Sequence, residues 1–140
     1  MILQPMIIAP LQVIRLAELK TIMTGYTTTE KYTVSKVEND FETHLRLALA
    51  QLPQPYTRHF DEEISAEDLE RYEQAIKEGL SLGCWLGNRL VGLAIAETHH
   101  WNRILWIHEF HIAADVRGQG LGRQLMDAMA DRARQNGLRA

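Results

Sequence analysis

The sequence contains one cysteine, Cys84, among 140 residues, so no disulfide can form within the chain. This scarcity indicates a reducing, cytoplasmic compartment. The neighbours Leu82, Trp85 and Leu86 are apolar. We therefore expect Cys84 to be a small buried residue of a strand and not a nucleophile.

The chain also lacks a long apolar run. Four residues interrupt the apolar segment at the start of the sequence, namely Pro5, Pro10, Arg15 and Glu18. No cationic stretch precedes that segment. We therefore expect neither a signal peptide nor a membrane span.

An excess of either charge sign is absent as well. The net charge is -3, with 24% charged and 46% hydrophobic residues. Nucleic-acid binding needs a basic surface, so this balance argues against DNA or RNA as the main partner. The length fits one domain, and we treat residues 1–140 as a single domain.

Local patterns in the first half predict strands, a loop and a helix. Residues 31–37 and 41–50 read as a hairpin that turns at Asn39-Asp40, and weak alternation from Val13 to Ala17 suggests a short strand. After Pro53 and Pro55, residues 55–61 read as a loop. Ser65 and Asp68 are spaced as a helix cap. The face of that helix would carry Leu69, Tyr72, Ile76 and Leu80.

The second half reads more clearly. Residues 82–86 and 90–97 predict antiparallel strands joined at Gly87-Asn88, and a third strand follows over residues 104–113. A helix then ends at Asn136-Gly137. Its apolar face would contain Leu121, Leu125 and Met129, which are spaced four apart.

A glycine-rich loop, residues 117–123, connects this third strand to the helix. Small residues there would let an anion approach the unpaired N–H groups of the helix start. A Walker loop is excluded because it requires a lysine. A dinucleotide fingerprint is excluded because Arg123 occupies its third glycine position and an antiparallel hairpin precedes the loop.

The spacing Arg117, Gly120 and Gly122, together with the strand from Ile107 to Ile112, resembles the acetyl-CoA signature of the GNAT superfamily of N-acetyltransferases. The resemblance covers roughly residues 82–137. It implies an α/β (α+β) fold with a mixed, mainly antiparallel sheet flanked by helices. Within it, residues 1–30 form a variable segment, 31–81 the first strands and acidic helix, and 82–140 the cofactor-binding part.

The resemblance also implies site residues. The positions that match Phe110, His111 and Ile112 present backbone groups to the pantetheine arm and the acetyl carbonyl. A second set cradles the pyrophosphate of acetyl-CoA: Arg117, Gly118, Gln119, Gly120, Leu121, Gly122 and Arg123. A tyrosine that protonates the leaving thiolate would lie beyond Ala140. The resemblance therefore predicts a domain that is truncated after the acetyl-CoA-binding helix.

Glu109 is the candidate catalytic base, because an amine must lose a proton before it attacks a thioester. We expect burial beside Trp106, Ile107 and Phe110 to raise its pKa. The alternative is a structural carboxylate at a strand edge. We predict no metal site at His108 and His111, because residues three apart on a strand point to opposite faces.

Two functions stay open at this point. The first is an N-acetyltransferase acting on a primary amine of a small molecule or a protein. The second is an acyl-CoA or phosphate-binding module without activity. The segments 55–61, 101–102 and 107–112 resemble the streptothricin acetyltransferase branch, which suggests a cationic antibiotic. A run of acidic residues would favour such a substrate, but it also reads as the solvated face of a helix: Asp61, Glu62, Glu63, Glu67, Asp68, Glu70 and Glu73.

The remaining charged residues carry weaker expectations. His99 and His100 lie at a polar corner, and we expect both to be solvated. Arg132, Arg134 and Arg139 read as solvent-facing charges of the last helix. The sequence does not fix the oligomeric state and is compatible with a homodimer.

Overall fold

The computed structural model describes residues 5–139. They fall into two compact units: residues 5–24 with 60–139, and the hairpin Gly25–His59. No helix in the described residues is long and apolar enough to cross a membrane. In chain order the elements are β1 (Met6–Pro10), α1 (Leu16–Ile22), β2 (Tyr26–Glu38), β3 (Thr43–Arg58), α2 (Phe60–Glu63), α3 (Ala66–Lys77), β4 (Leu82–Leu86), β5 (Arg89–His99), β6 (Ile104–Ile112), a 3-10 turn (Ala114–Val116) and α4 (Leu121–Gln135).

The larger unit is built on a four-stranded sheet of order β1-β4-β5-β6 with antiparallel neighbours. One parallel bridge, Ile104 to Arg139, makes the pairing mixed. Gly87 turns the β4–β5 hairpin with a φ of 58°. The predicted hairpin, third strand and mainly antiparallel sheet are therefore confirmed.

Two apolar clusters cover the two faces of this sheet. On the face that we call the α3 face, Leu93 and Ile95 pack with Tyr72 and Ile76. On the α4 face, Ala94 and Ala96 pack with the helix residues Leu125 and Met129. Cys84 is fully buried, and burial raises the pKa of its thiol, so it is a core residue as predicted.

Helix α3 begins where the sequence places its cap. The Ser65 hydroxyl accepts a hydrogen bond from the Asp68 N–H at 3.0 Å, and the Asp68 carboxylate accepts one from the Ser65 N–H. Tyr72 and Ile76 lie on the buried face. Leu80 is buried too, although the helix ends three residues earlier, at Lys77.

The prediction for the N-terminal segment is wrong in position. The strand there is Met6–Pro10, paired with β4, and the alternating residues begin helix α1 instead. Glu18 accepts a hydrogen bond from the Arg15 N–H at 3.2 Å and so stabilises the helix start. Leu19 and Ile22, three apart, are both buried. A helical face therefore outweighs the weak alternation.

The smaller unit is an antiparallel hairpin, as predicted, and the Asn39 side chain accepts the N–H groups of Phe41 and Glu42 at its turn. The loop prediction for residues 55–61 is wrong. Strand β3 continues to Arg58, and α2 begins at Phe60. The paired residues of β3 pass from Gln51 directly to Tyr56. Pro53 and Pro55 therefore lie in an unpaired part of the strand, where their lack of an N–H costs no hydrogen bond between strands.

The prediction that Arg132 is a solvent-facing charge is also wrong. It is only partly exposed, and its Nη2 donates to the Gly79 carbonyl at 2.6 Å. Arg134 is exposed as expected and pairs with Asp131. Arg139 is also exposed and donates to the Asn102 carbonyl at 3.0 Å. The last helix is thus tied to the loop after α3 through Arg132.

Candidate active site

The glycine loop lies between the end of β6 and the start of α4. Gly118 and Gly120 have φ values of 77° and 82°, which residues with a side chain rarely adopt. A Cβ added to either glycine would meet nothing within 4 Å. The space above both glycines is therefore open.

That open space is a depression of about 250 Å³ on the surface of the larger unit. The first hydrogen bond of α4 runs from the Gln124 N–H to the Gly120 carbonyl, so earlier N–H groups of the helix have no acceptor within it. The depression combines exposed N–H groups with the positive end of a 15-residue helix, a favourable place for an anion. Its lining is Ile112, Val116, Arg117, Gly118, Gly120, Leu121 and Gly122.

Side chains around the loop hold its backbone in place. The Arg117 Nε donates to the Ile112 carbonyl at 2.8 Å, which links the loop to the end of β6. Asp115, in the 3-10 turn, accepts two hydrogen bonds from Arg89 at 2.7 and 2.8 Å. Gln119 and Arg123 are exposed. Of the predicted pyrophosphate residues, residues 117–120 and Arg123 are exposed, Gly122 is partly exposed and Leu121 is buried.

Strand β6 lies at the edge of the sheet. In the described part of the chain it pairs with β5 alone, apart from the bridge at Ile104. The Ala113 N–H donates to the Val91 carbonyl. Backbone groups alternate along an antiparallel strand, so His111 directs its N–H and C=O to β5, whereas Phe110 and Ile112 direct theirs to the open edge. Of the predicted strand contacts, Phe110 can therefore pair with an incoming amide through both groups, and Ile112 through its N–H, because Arg117 already donates to the Ile112 carbonyl.

A β-bulge at His108 changes which side chains share a face. Ile95 pairs with Glu109, but the next β5 residue, Ala96, pairs with Ile107. The extra residue places both His108 and Glu109 on the α3 face. The prediction that His108 and His111 point to opposite faces is therefore wrong, because a regular strand was assumed.

Glu109 is held by two donors. The Tyr72 hydroxyl donates to its Oε1 at 2.6 Å, and the His111 Nε2 lies 2.8 Å from its Oε2. The Glu109 side chain is 21% exposed. Burial alone would raise the pKa of this carboxyl, but the hydrogen bonds from His111 and Tyr72 outweigh burial and leave the pKa below its ordinary value.

This overturns the expectation of a raised pKa at Glu109. The apolar neighbours expected around it lie elsewhere. Ile107 and Phe110 pack on the α4 face, and Trp106 is 51% exposed. Glu109 faces hydroxyl and imidazole groups, and hydrogen bonds to the charged form favour ionisation.

The sequence analysis identified Tyr72 only as a core residue. Its spacing with Leu69 and Ile76 indicated a buried helix face, and Tyr72 is indeed 3% exposed. The available signal was chemical: a tyrosine on a buried face needs a partner for its hydroxyl. That partner is 37 residues away, on β6.

A second carboxylate, Glu97, lies on the same face. Its Oε1 is 3.2 Å from the His99 Nε2 and 3.1 Å from the His108 Nε2. The His99 ring stacks on Trp106 with centroids 5.3 Å apart. His99 is therefore only partly exposed, contrary to the prediction that it is solvated, whereas His100 is exposed. Residues 5–139 contain no cluster of three or more potential metal ligands.

Comparison with known proteins adds a fold and a family. A protein assigned as a streptothricin acetyltransferase of Bacillus anthracis str. Ames, solved with acetyl coenzyme A, is 15% identical with a TM-score of 0.64 and matches 96% of this chain and 71% of its own. Nourseothricin acetyltransferase is 21% identical with a TM-score of 0.59, over 87% and 62%. A Pyrococcus horikoshii OT3 protein is 18% identical with a TM-score of 0.51, over 94% and 73%.

At these identities the structures establish a shared fold, and the chain spans 62% to 73% of their lengths. No curated protein matches the chain. The profile of the acetyltransferase (GNAT) family matches residues 45–140. That match covers more than half of the sequence, and the chain therefore belongs to the acetyltransferase (GNAT) family, which consists of acyltransferases that use acetyl-CoA.

Proposed function

We propose that this protein is a cytoplasmic N-acetyltransferase that transfers the acetyl group of acetyl-CoA to a primary amine of a cationic small molecule. The observation that carries the proposal is the position of the open glycine loop. It follows directly on the edge strand that bears a carboxylate, Glu109, held by two donors. The single cysteine is buried and free, which fits a reducing compartment.

In this proposal the glycine loop holds the pyrophosphate. Gly118, Gly120, Leu121 and Gly122 line the depression, and the absence of Cβ atoms at Gly118 and Gly120 lets phosphate oxygens approach the backbone there. Arg123 and Gln119 are exposed beside this surface and can contact the phosphates. Arg117 keeps the loop against Ile112.

The edge of β6 would bind the rest of the coenzyme. Phe110 and Ile112 carry the outward backbone groups that the amides of the pantetheine arm can pair with. One of these N–H groups polarises the thioester carbonyl as the amine nitrogen attacks. The new C–N bond forms, the C–S bond breaks, and CoA leaves as a thiolate that takes up a proton from water.

Glu109 is the group that takes the proton in our proposal. A carboxyl with a lowered pKa is ionised at neutral pH and attracts an ammonium group. The ammonium group must first lose one proton to water, because only the neutral amine has a lone pair for attack, and its nitrogen becomes much more acidic once it bonds to the carbonyl carbon. A carboxylate of low basicity can therefore accept its proton at that stage.

Two carboxylates on one face favour a substrate with more than one positive charge. Glu97 and Glu109 both lie on the α3 face, and the partly exposed Trp106 adds an aromatic surface beside Glu97. Carboxylates and aromatic faces both attract ammonium groups. The names of two solved acetyltransferases with this fold contain streptothricin and nourseothricin. These two compounds are therefore the first to assay.

The test has two stages. Calorimetry with CoA measures binding, and a thiol-release assay with acetyl-CoA and a panel of amines, including streptothricin, measures transfer. The proposal expects binding, followed by release with at least one cationic amine, and release that falls in Glu109→Gln. Binding with no release for any amine would support the binding module, and no binding would contradict both functions.

We also propose that the protein forms a homodimer through one face of the hairpin β2–β3. A two-stranded hairpin is marginally stable alone. Glu30 lies at one end of this face and the ion pair Lys36–Glu38 at the other, and a two-fold arrangement would lay this face of one copy on the same face of the other. Between them lie five apolar side chains that are 55% to 67% exposed: Tyr32, Val34, Leu45, Leu47 and Leu49.

A further inference from the structure

We infer that Tyr72 is a positioning residue for the acetyl transfer, and that its hydroxyl holds the Glu109 carboxylate charged and in one orientation. This inference rests on the proposed role of Glu109. It adds a residue from helix α3 to a site otherwise built from β6 and the glycine loop.

Geometry is the first support. Tyr72 and His111 approach different oxygens of the same carboxylate, at 2.6 Å to Oε1 and 2.8 Å to Oε2. One donor comes from α3 and the other from β6, so the carboxyl group is fixed from two sides. A carboxylate with one donor could still rotate about its terminal bond, which is only weakly restrained.

The burial of Tyr72 is the second support. Its ring lies in the core with a relative exposure of 3%, between the buried residues of α3 and the sheet. A phenylalanine would fill the same volume without placing a polar group in the core. The cost of burying a hydroxyl is offset by the charged acceptor that it meets.

The charges around the pair are arranged to keep Tyr72 protonated and Glu109 ionised. Burial, with Glu109 next to it, raises the pKa of the Tyr72 hydroxyl far above its ordinary value. On α3, Arg71 lies 5.7 Å from the Tyr72 ring and pairs with Asp68. On β6, His111 faces Glu109, and on the same sheet face His108 pairs with Glu97. Tyr72 therefore stays a donor throughout the range in which Glu109 titrates.

The decisive variant is Tyr72→Phe in the full chain, which removes one oxygen and keeps the ring. Its matched control is Tyr56→Phe, because Tyr56 is 53% exposed on the hairpin and lies outside the proposed dimer face. Thermal unfolding confirms that both variants fold. The titration midpoint of the Glu109 carboxyl is then followed by NMR, and Glu109→Gln identifies its signal.

We expect the titration midpoint of Glu109 to rise by roughly one pH unit in Tyr72→Phe, a tenfold gain in proton affinity. Burial raises the pKa of Glu109, and the variant loses one of the two hydrogen bonds that lower it. In the complete reaction kcat should fall roughly tenfold, and KM for acetyl-CoA should stay unchanged. The acid limb of the pH profile should move upward. A purely structural tyrosine would lower the melting temperature without moving either midpoint.

An unchanged midpoint in Tyr72→Phe, equal to that of Tyr56→Phe, would overturn the inference. This outcome is separate from a failure of the proposed function. If Glu109→Gln keeps full turnover, Glu109 is not the base, but the carboxyl titration still measures whether Tyr72 holds it in the charged form.

Discussion

Replacement of Gly120 by aspartate should abolish most of the affinity for CoA while it leaves the fold intact. The added Cβ would meet no atom within 4 Å, so the substitution causes no clash in the free protein. It does force a side chain onto a residue with a φ of 82°, which costs about 1–2 kcal/mol. It also places a negative charge where the pyrophosphate should lie.

The size of the loss follows from that charge. Two unit charges about 4 Å apart repel by about 1 kcal/mol in bulk water and about 4 kcal/mol near a protein surface. Each 1.4 kcal/mol or so is a factor of ten in affinity, so the loss should lie between about fivefold and about a thousandfold. Isothermal titration calorimetry with CoA measures it directly.

Gly79 provides a matched control. Its φ is 78°, its added Cβ would also meet nothing within 4 Å, and it follows helix α3. Gly79→Asp should therefore lower the melting temperature as much as Gly120→Asp and leave CoA binding unchanged. Equal CoA affinity in the two variants would refute the assignment of the loop.

Four further predictions concern the loop, the carboxylate and the hairpin. Gly122→Ala adds ordinary contacts with Ile112 and Phe110 and favours the helix by up to about 1 kcal/mol; calorimetry should show at least tenfold weaker CoA binding, and a melting curve should show no loss of stability. Glu109→Gln should lower turnover at least about a hundredfold with unchanged CoA affinity. In the unsubstituted protein the part of the activity that depends on Glu109 should be lost as the pH drops through the lowered pKa of Glu109, since the carboxylate is charged above it. Leu47→Glu should convert a dimer to a monomer in light scattering, whereas Thr33→Glu, on the opposite face of the hairpin, should not; a monomeric unsubstituted chain would contradict the dimer.

The parts of the fold that the sequence predicted are those that depend on neighbours in the chain. The Ser65–Asp68 cap and the Gly87 turn each lie within a few residues, and each carries its own signal. The glycine loop is likewise local, and its placement between a strand and a helix follows from the residues on either side.

Longer-range features could not be read in this way. Periodicity shows that Tyr72 is buried but not that it meets Glu109, because that contact depends on how α3 packs on the sheet. No local sequence pattern indicates the bulge at His108, yet the bulge places His108 and Glu109 on one face of the sheet. The direction of the Glu109 pKa shift therefore depended on tertiary contacts that the sequence does not reveal.

The most direct test of the account is an NMR titration of the isotopically labelled chain with CoA, followed through its backbone amide signals. We predict saturable shifts that are largest for residues 118–123 and smaller for Phe110 and Ile112 at the open edge of β6. Shifts that leave residues 118–123 unmoved while other amides respond, or no saturable shift with CoA, would contradict it.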